Sequence, residues 1–201
     1  KAEVEFTIYD LLIESEAPRK AISESETENL DIIPANIELA GAEIELVSLM
    51  SRESRLKNAL NKLNMNYDYI IIDCPPSLGL LTLNALTAAD SVVVPIQCEY
   101  YALEGLGQLM NTIELVRKNL NSDLRIEGVL MTMYDARTNL SDQVIEEVED
   151  YFTDLVFKTV IPRNVRLSEA PSFGKSILSY SSNSKGAKAY RQLAEEVISL
   201  E

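Results

Sequence analysis

The residues best placed to do chemistry in this 201-residue chain lie at the end of an apolar run, Ile70-Ile71-Ile72-Asp73-Cys74-Pro75-Pro76-Ser77. A carboxylate at the carboxyl end of a strand can hold Mg²⁺, directly or through water, beside a nucleotide phosphate. It can equally cap the helix that follows. Pro75 and Pro76 stiffen the segment and favour the ligand-facing role. The chain has no His, which removes His-activated nucleophiles, His general bases and His-containing metal sites. Cys74 and Cys98 are its two cysteines; their separation suggests neither a disulfide framework nor a zinc site, and a reduced, cytoplasmic protein is expected.

Three more polar clusters follow apolar runs: Gln97 to Tyr101, Tyr134-Asp135-Ala136-Arg137-Thr138-Asn139, and Pro162-Arg163-Asn164-Val165-Arg166. In an open parallel sheet, ligands sit beyond the carboxyl ends of strands, so these clusters share one candidate edge. Loop residues of these types are also commonly just solvated. Gly174-Lys175-Ser176 imitates the end of a phosphate-binding loop, but the required first glycine would fall on Glu169. Gly105 and Gly107 fall in a helical run and read as helix-packing positions.

The elements that must position these residues follow from periodicity. Residues 3–13 read as a short amphipathic helix and Glu14 to Asn29 as loop. Leu30 to Pro34 reads as a strand stopped by its proline, and 37–63 as helix. Tyr67 to Asp73 is unbroken in its apolar run, which implies a strand buried on both faces of a parallel sheet. Helix is then expected at 78–89, strand at 91–96, helix at 102–120 and strand at 126–133. A helix capped by Ser141 covers 141–152, a strand 158–161, and a closing helix 185–200. Strand and helix alternating in this way imply an α/β, doubly wound, mostly parallel sheet in a single domain, residues 1–201.

The composition is 46% hydrophobic and 25% charged, ordinary for a globular protein, and no run approaches the length of a membrane span. The chain opens on Lys1 and enters a helical pattern at once, which reads as the inside of a protein rather than its beginning. With 18 basic against 32 acidic residues the net charge is -14, at face value a poor match for a polyanion.

Three blocks carry a resemblance: Tyr67 to Gly79, Val94 to Gly105 and Ile161 to Ser172. In this order they closely resemble the ParA/Soj family of deviant-Walker partition ATPases, from about Ile8 onward. The resemblance implies a P-loop NTPase-like fold of the SIMIBI/ParA type with the N-terminal P-loop unit missing from these residues. It implies ATP and Mg as cofactors, a homodimer switch, non-specific DNA binding and release by a ParB/Spo0J-like partner. It also implies a cytoplasmic, nucleoid-associated protein with no membrane association. By position, Asp73 resembles the Walker B aspartate and Mg ligand, and Pro75, Pro76 and Ser77 the γ-phosphate switch. Asp135, Pro162 and Asn164 resemble the adenine pocket, and Arg137 and Arg166 the DNA-contacting arginines.

The family's P-loop, signature lysine and switch I aspartate have no counterpart in residues 1–201, so this chain alone is expected to be inactive. Self-association or a swapped oligomer is expected to cover the gap left in the sheet. The alternatives are a non-catalytic ParA-like binding protein and a MinD-like cell-division ATPase. MinD-type proteins end in a basic amphipathic helix, whereas Leu193 to Glu201 is acidic and reads as complete. The charge, finally, is unevenly spread: residues 1–160 hold 12 basic and 28 acidic groups, residues 161–201 hold 6 and 4. Lys158, Arg163, Arg166, Lys175, Lys185, Lys188 and Arg191 face Glu169 alone in 158–191, the footprint of a DNA-contacting face.

Overall fold

The computed structural model describes residues 5–63, 65–99 and 102–200, with the side chains of 102–104 left aside. Two compact units are distinguished, residues 1–90 with 109–124, and residues 91–108 with 125–201.

The first unit opens with α1, Ile8–Ile13, started by a capping box in which Thr7 and Asp10 satisfy each other's backbone and side-chain groups. The stretch expected as loop contains α2, Pro18–Ala21, and β1, Ser23–Glu24, which pairs antiparallel with β2, Asp31–Ile32. The single helix expected over 37–63 is two: α3, Leu39–Leu46, and α4, Arg55–Leu60. Ser51 turns the chain between them with φ of 53°. Arg55 then reaches the end of α1, donating to the carbonyl of Ile13 at 3.0 Å, to the Ser15 hydroxyl at 2.6 Å and to the carbonyl of Leu12.

Tyr67 to Asp73, expected as the clearest buried strand, forms no strand and belongs to no ladder among the described residues. Ile70 is 54% and Ile71 91% exposed. An apolar run becomes an interior strand only where flanking backbone takes up its amides and carbonyls, and no strand among the described residues does so here. α5, Leu80–Ala88, follows. Its Asn84 is fully buried: the amide donates to the carbonyls of Arg52 at 2.7 Å and Leu80 at 2.9 Å, and its oxygen accepts from the Leu56 amide at 3.1 Å. One side chain thus ties α5 to the start of α4.

The second unit is built on β3, Ser91–Gln97, and β4, Arg125–Thr132, paired parallel with it; α6, Ala102–Asn119, joins them in sequence, its residues from 109 onward belonging to the first unit. The register slips between Val92 and Val93, where Ile126 and then Gly128 are the partners. Gly128 is required there: a Cβ would stand 2.5 Å from the Phe157 ring, which packs with Leu130, Ile161 and Ala189. Gly105 and Gly107 prove not to be packing positions, since a Cβ at either would meet nothing within 4 Å.

α7, Asn139–Phe152, begins two residues before the expected Ser141 cap, with Thr138 at the N-cap and Ser141 buried in the first turn. The strand expected at 158–161 is reduced to two parallel bridges, Val129 with Val156 and Tyr134 with Pro162. The amides of Lys158 and Thr159 donate instead to the Glu196 carboxylate, at 2.7 and 3.0 Å, which interrupts the ladder. α8, Val165–Glu169, α9, Ile177–Tyr180, and α10, Lys185–Ile198, complete the unit. Gly174, left-handed at φ 64°, ends a 3-10 turn and Ser176 caps α9, so the Gly-Lys-Ser run is structural.

Replacing Asn84 by Ala takes the side-chain partner from the Leu56 amide and the Arg52 carbonyl, and is expected to lower stability by about 2–4 kcal/mol. Urea denaturation monitored by circular dichroism measures it; a loss below about 0.5 kcal/mol would show that Asn84 does not join α4 to α5.

Candidate functional site

In the first unit, Asp73, Cys74, Pro75, Pro76 and Ser77 are all exposed. Asp73 makes no hydrogen bond or ion pair among the described residues, so its carboxylate is available to a cation. The segment is anchored at its far end, where the Thr82 hydroxyl donates to the Ser77 carbonyl at 2.5 Å. Gly79, at the N-cap of α5, lies so close to Glu43 that a Cβ would approach its Oε1 to 2.0 Å; that oxygen is buried and has no hydrogen-bond partner among the described residues. No group of three His, Cys, Asp or Glu side chains able to hold a metal occurs among the described residues. Mg²⁺ commonly takes one or two carboxylates together with nucleotide phosphates, so a lone free Asp73 fits it.

In the second unit, the chain leaves β4 through Met133 at φ 56° and meets the segment after residue 160. The Tyr134 amide donates to the Ile161 carbonyl at 3.1 Å, and the Arg163 amide to the Tyr134 carbonyl at 2.9 Å. The loop that carries Asp135 and Arg137 is thereby joined to the segment that carries Pro162, Asn164 and Arg166, and Asp135 comes within reach of the Arg163 charge. Tyr100 and Tyr101, of the third polar cluster, lie outside the described residues.

Asp135 is locked in place. Its Oδ1 accepts from the Arg137 amide at 3.1 Å and from Nε at 2.8 Å, and its Oδ2 from Nη2 at 2.6 Å. The Asp135 amide donates to the buried Ser141 hydroxyl at 3.3 Å, and the Thr138 hydroxyl to the Asp135 carbonyl at 3.1 Å. Ser141 is therefore a support for Asp135, a role that its sequence position suggested only as a helix cap. The side-chain and backbone hydrogen bonds from Arg137, aided by the charges of Arg137 and Arg163, hold the Asp135 carboxyl well below the usual carboxylate range. Tyr134 donates to Asp142 at 2.9 Å, which pushes its phenol up. Beneath this layer Cys98 is buried, and burial together with Asp142 raises its thiol to about 11, far from a reactive thiolate.

Asn164 caps α8, its Oδ1 accepting from the Arg166 amide at 2.9 Å. That bond fixes the amide's orientation and leaves Nδ2, a donor, as the group it offers a ligand. Arg166 Nη1 donates to Glu169 Oε2 at 2.9 Å, and the Tyr180 hydroxyl donates to the same oxygen at 3.1 Å. Arg163 pairs with Glu99 at 2.6 Å. Sequence reasoning missed Glu99, Ser141, Glu169 and Tyr180 as partners of the site; only the i,i+3 spacing of Arg166 and Glu169 carried a signal.

Comparison with known proteins shows where this arrangement recurs. A family model described as an AAA domain matches residues 1–126. The sporulation initiation inhibitor protein Soj of Bacillus subtilis is 66% identical over 197 residues, 98% of this chain and 78% of that protein. The chain belongs to the ParA/Soj family of chromosome-partitioning ATPases. Among ParA-like solved structures, a Mycobacterium smegmatis protein described as cobyrinic acid a,c-diamide synthase, with bound ATP analogue and magnesium, matches with TM-score 0.81 and 41% identity. That match covers 98% of this chain and 72% of the other. A plasmid partition protein of Borrelia burgdorferi bound to AMPPNP matches with TM-score 0.82 and 26% identity, covering 98% and 75%. The expected α/β, P-loop NTPase-like fold of the ParA type is thus the fold of this chain. No helix among the described residues is long and apolar enough to cross a membrane.

In this ParA/Soj chain the Asp135–Arg137 lock has a pH signature. A carboxyl depressed in the folded state stabilises the fold above its unfolded value of about 3.9, and that contribution is lost as the pH falls toward the folded value. The stability gap between the protein and Asp135→Asn is expected to be constant from about pH 7 to pH 5 and to narrow below about pH 4. Urea titrations at each pH measure it, and a gap unchanged at about pH 3 would mean that the lock does not form.

Proposed function

We propose that the chain works in chromosome or plasmid partitioning as an ATP-dependent dimer switch that binds DNA without sequence preference and is released by a ParB/Spo0J-like partner. The observation that carries this reading is the backbone bridge at Tyr134. It joins the loop that carries the candidate adenine-pocket Asp135 and the candidate DNA-contacting Arg137 to the segment that carries Pro162, Asn164 and Arg166. A nucleotide-sensing surface and a polyanion-binding surface built on the same loops can respond to one another. The M. smegmatis and B. burgdorferi relatives, bound to ATP analogues, support the same ligand here.

Asp73 serves as the Walker B aspartate, holding Mg²⁺ directly or through water, and Pro75, Pro76 and Ser77 form the switch beside the γ-phosphate. Mg²⁺ supplies neutralisation of the phosphate charge during transfer. Asp135 keeps one unused lone pair on Oδ2 and Asn164 a free Nδ2 donor, a complementary acceptor and donor for a purine and its sugar. The family match over residues 1–126 takes in the first unit and the start of the second, and supports reading the chain as a single ParA-like domain; a cytoplasmic, nucleoid-associated place goes with the partition role proposed. A second copy, paired or swapped, covers the unpaired apolar segment at Ile70 and Ile71.

Residues 1–201 contain no G-x-x-x-x-G-K-[ST] run, and phosphoryl transfer without backbone amides and a lysine on the β- and γ-phosphates lacks its main electrostatic stabilisation. We therefore propose that this chain by itself does not hydrolyse ATP; steady-state phosphate release that disappears in Asp73→Ala would overturn this. For the DNA surface, the Arg137→Ala, Arg166→Ala double variant of the full-length protein is expected to bind non-specific duplex DNA more weakly. The slope of log K against log salt should fall by about 1.8, two phosphate contacts. Affinity and slope both unchanged would refute the DNA reading.

A further inference from the structure

Three of the four arginines of the candidate DNA face are held differently from its lysines; the fourth, Arg191, donates to the Ser182 carbonyl at 2.7 Å. Arg137, Arg163 and Arg166 are each paired with a carboxylate of the same unit, Asp135, Glu99 and Glu169, at 2.6, 2.6 and 2.9 Å. Lys158, Lys175, Lys185 and Lys188 are exposed and their ammonium groups make no ion pair among the described residues. The charges of Lys175, Lys185 and Lys188 meet a polyanion without first leaving a carboxylate, whereas Lys158 already interacts with Glu196 and Arg137, Arg163 and Arg166 must each part from a paired carboxylate.

The pair at Arg166 is the most elaborated. Glu169 Oε2 accepts from Arg166 Nη1 at 2.9 Å and from the Tyr180 hydroxyl at 3.1 Å, and the Tyr180 ring is stacked on Phe173 with centroids 5.1 Å apart and planes inclined by 24°. Glu169 is thus held from two sides, by the guanidinium and by a phenol whose ring is itself braced. Glu169 holds Nη1, so a phosphate that takes the terminal Nη1–Nη2 fork must displace it, and one that takes the Nε–Nη2 fork meets a guanidinium whose charge Glu169 already offsets.

We infer that Glu169, braced by Tyr180, withholds Arg166 from DNA phosphate and so holds DNA affinity below what the arginine alone would give. The inference rests on the DNA-binding reading above and deepens it: Glu169 and Tyr180 become positioning residues, touching no phosphate and acting through Arg166. An exposed i,i+3 pair is weak, so the restraint is modest and reversible, suited to a protein that must leave DNA as readily as it binds.

The test is a double-mutant cycle on the full-length protein, reading affinity for non-specific duplex DNA across a salt series. Glu169→Gln is expected to tighten binding by about two- to fivefold and to steepen the salt slope by up to about 0.9. Removing any acidic charge also strengthens a polyanion's attraction through the general field, so the same change in the Arg166→Ala background measures that part. The inference requires the gain in the Arg166 protein to exceed that in the Arg166→Ala protein by at least about twofold. Tyr180→Phe is expected to move affinity in the same direction by less. Equal gains in both backgrounds, no gain, or a loss from Glu169→Gln would overturn it. If Arg166→Ala alone leaves affinity and slope unchanged, the DNA reading itself falls, a result distinct from those.

Discussion

Tyr134 exchanges two backbone hydrogen bonds with the segment running past it, donating to Ile161 at 3.1 Å and accepting from Arg163 at 2.9 Å. Met133, left-handed at φ 56°, turns the chain out of β4 so that this exchange can occur. All that the second unit offers a ligand hangs on that bridge. Without it, Asp135 and its ion pair would sit on one loop and Pro162, Asn164 and Arg166 on another, with no fixed distance between them. The bridge is backbone only, so almost any side chain at 134 would allow it. What specifies it is the parallel run of residues 156–163 along β4, set by Gly128 admitting the Phe157 ring and by the Glu196 carboxylate taking the amides of Lys158 and Thr159.

Much of this was legible in the sequence, for reasons that differ by element. β3 and β4 lie within one or two residues of their expected places, because both their apolar runs and their pairing partners are present. Tyr67 to Asp73 carries an equally strong apolar signal and forms no ladder among the described residues. Periodicity reports what a segment requires of its neighbours, and strand formation depends on the neighbours themselves. The helix expected over 37–63 broke because three- and four-residue spacing continues across a turn: Ser51 at φ 53° interrupts the backbone without interrupting the apolar pattern. Candidate site residues could be placed from strand ends and the family blocks. Their partners Glu99, Ser141 and Tyr180 could not, since each comes from a distant or differently assigned element.

The net charge of -14 shows how little a total conveys. The acidic excess resides in the first 160 residues, while the loop at 162–166 and the start of α10 are basic, and field strength near a surface is set by the nearest charges within about 8 Å at physiological salt. Even within the basic face, the count misleads. Three arginines are matched to carboxylates at 2.6 to 2.9 Å, so their contribution to a polyanion is the difference between two ion pairs rather than the formation of one. Lys175, Lys185 and Lys188 carry an attraction that no ion pair opposes among the described residues, and the three paired arginines carry geometry.

Asp135 is where the two candidate surfaces meet. Of its four lone-pair sites, three are filled by the backbone amide, Nε and Nη2 of Arg137. A nucleotide hydroxyl or amine donating to Asp135 therefore takes the last free site on Oδ2, or else displaces Nη2 and frees it for another anion. In the first case the pair with Arg137 is retained and polarised; in the second, the arginine's fork is released as the nucleotide binds. In the proposed pocket, either outcome would link the nucleotide to the arginine through a single carboxylate, over one ion pair of 2.6 Å. Coupling of this kind needs no long pathway, only a shared acceptor that two donors want.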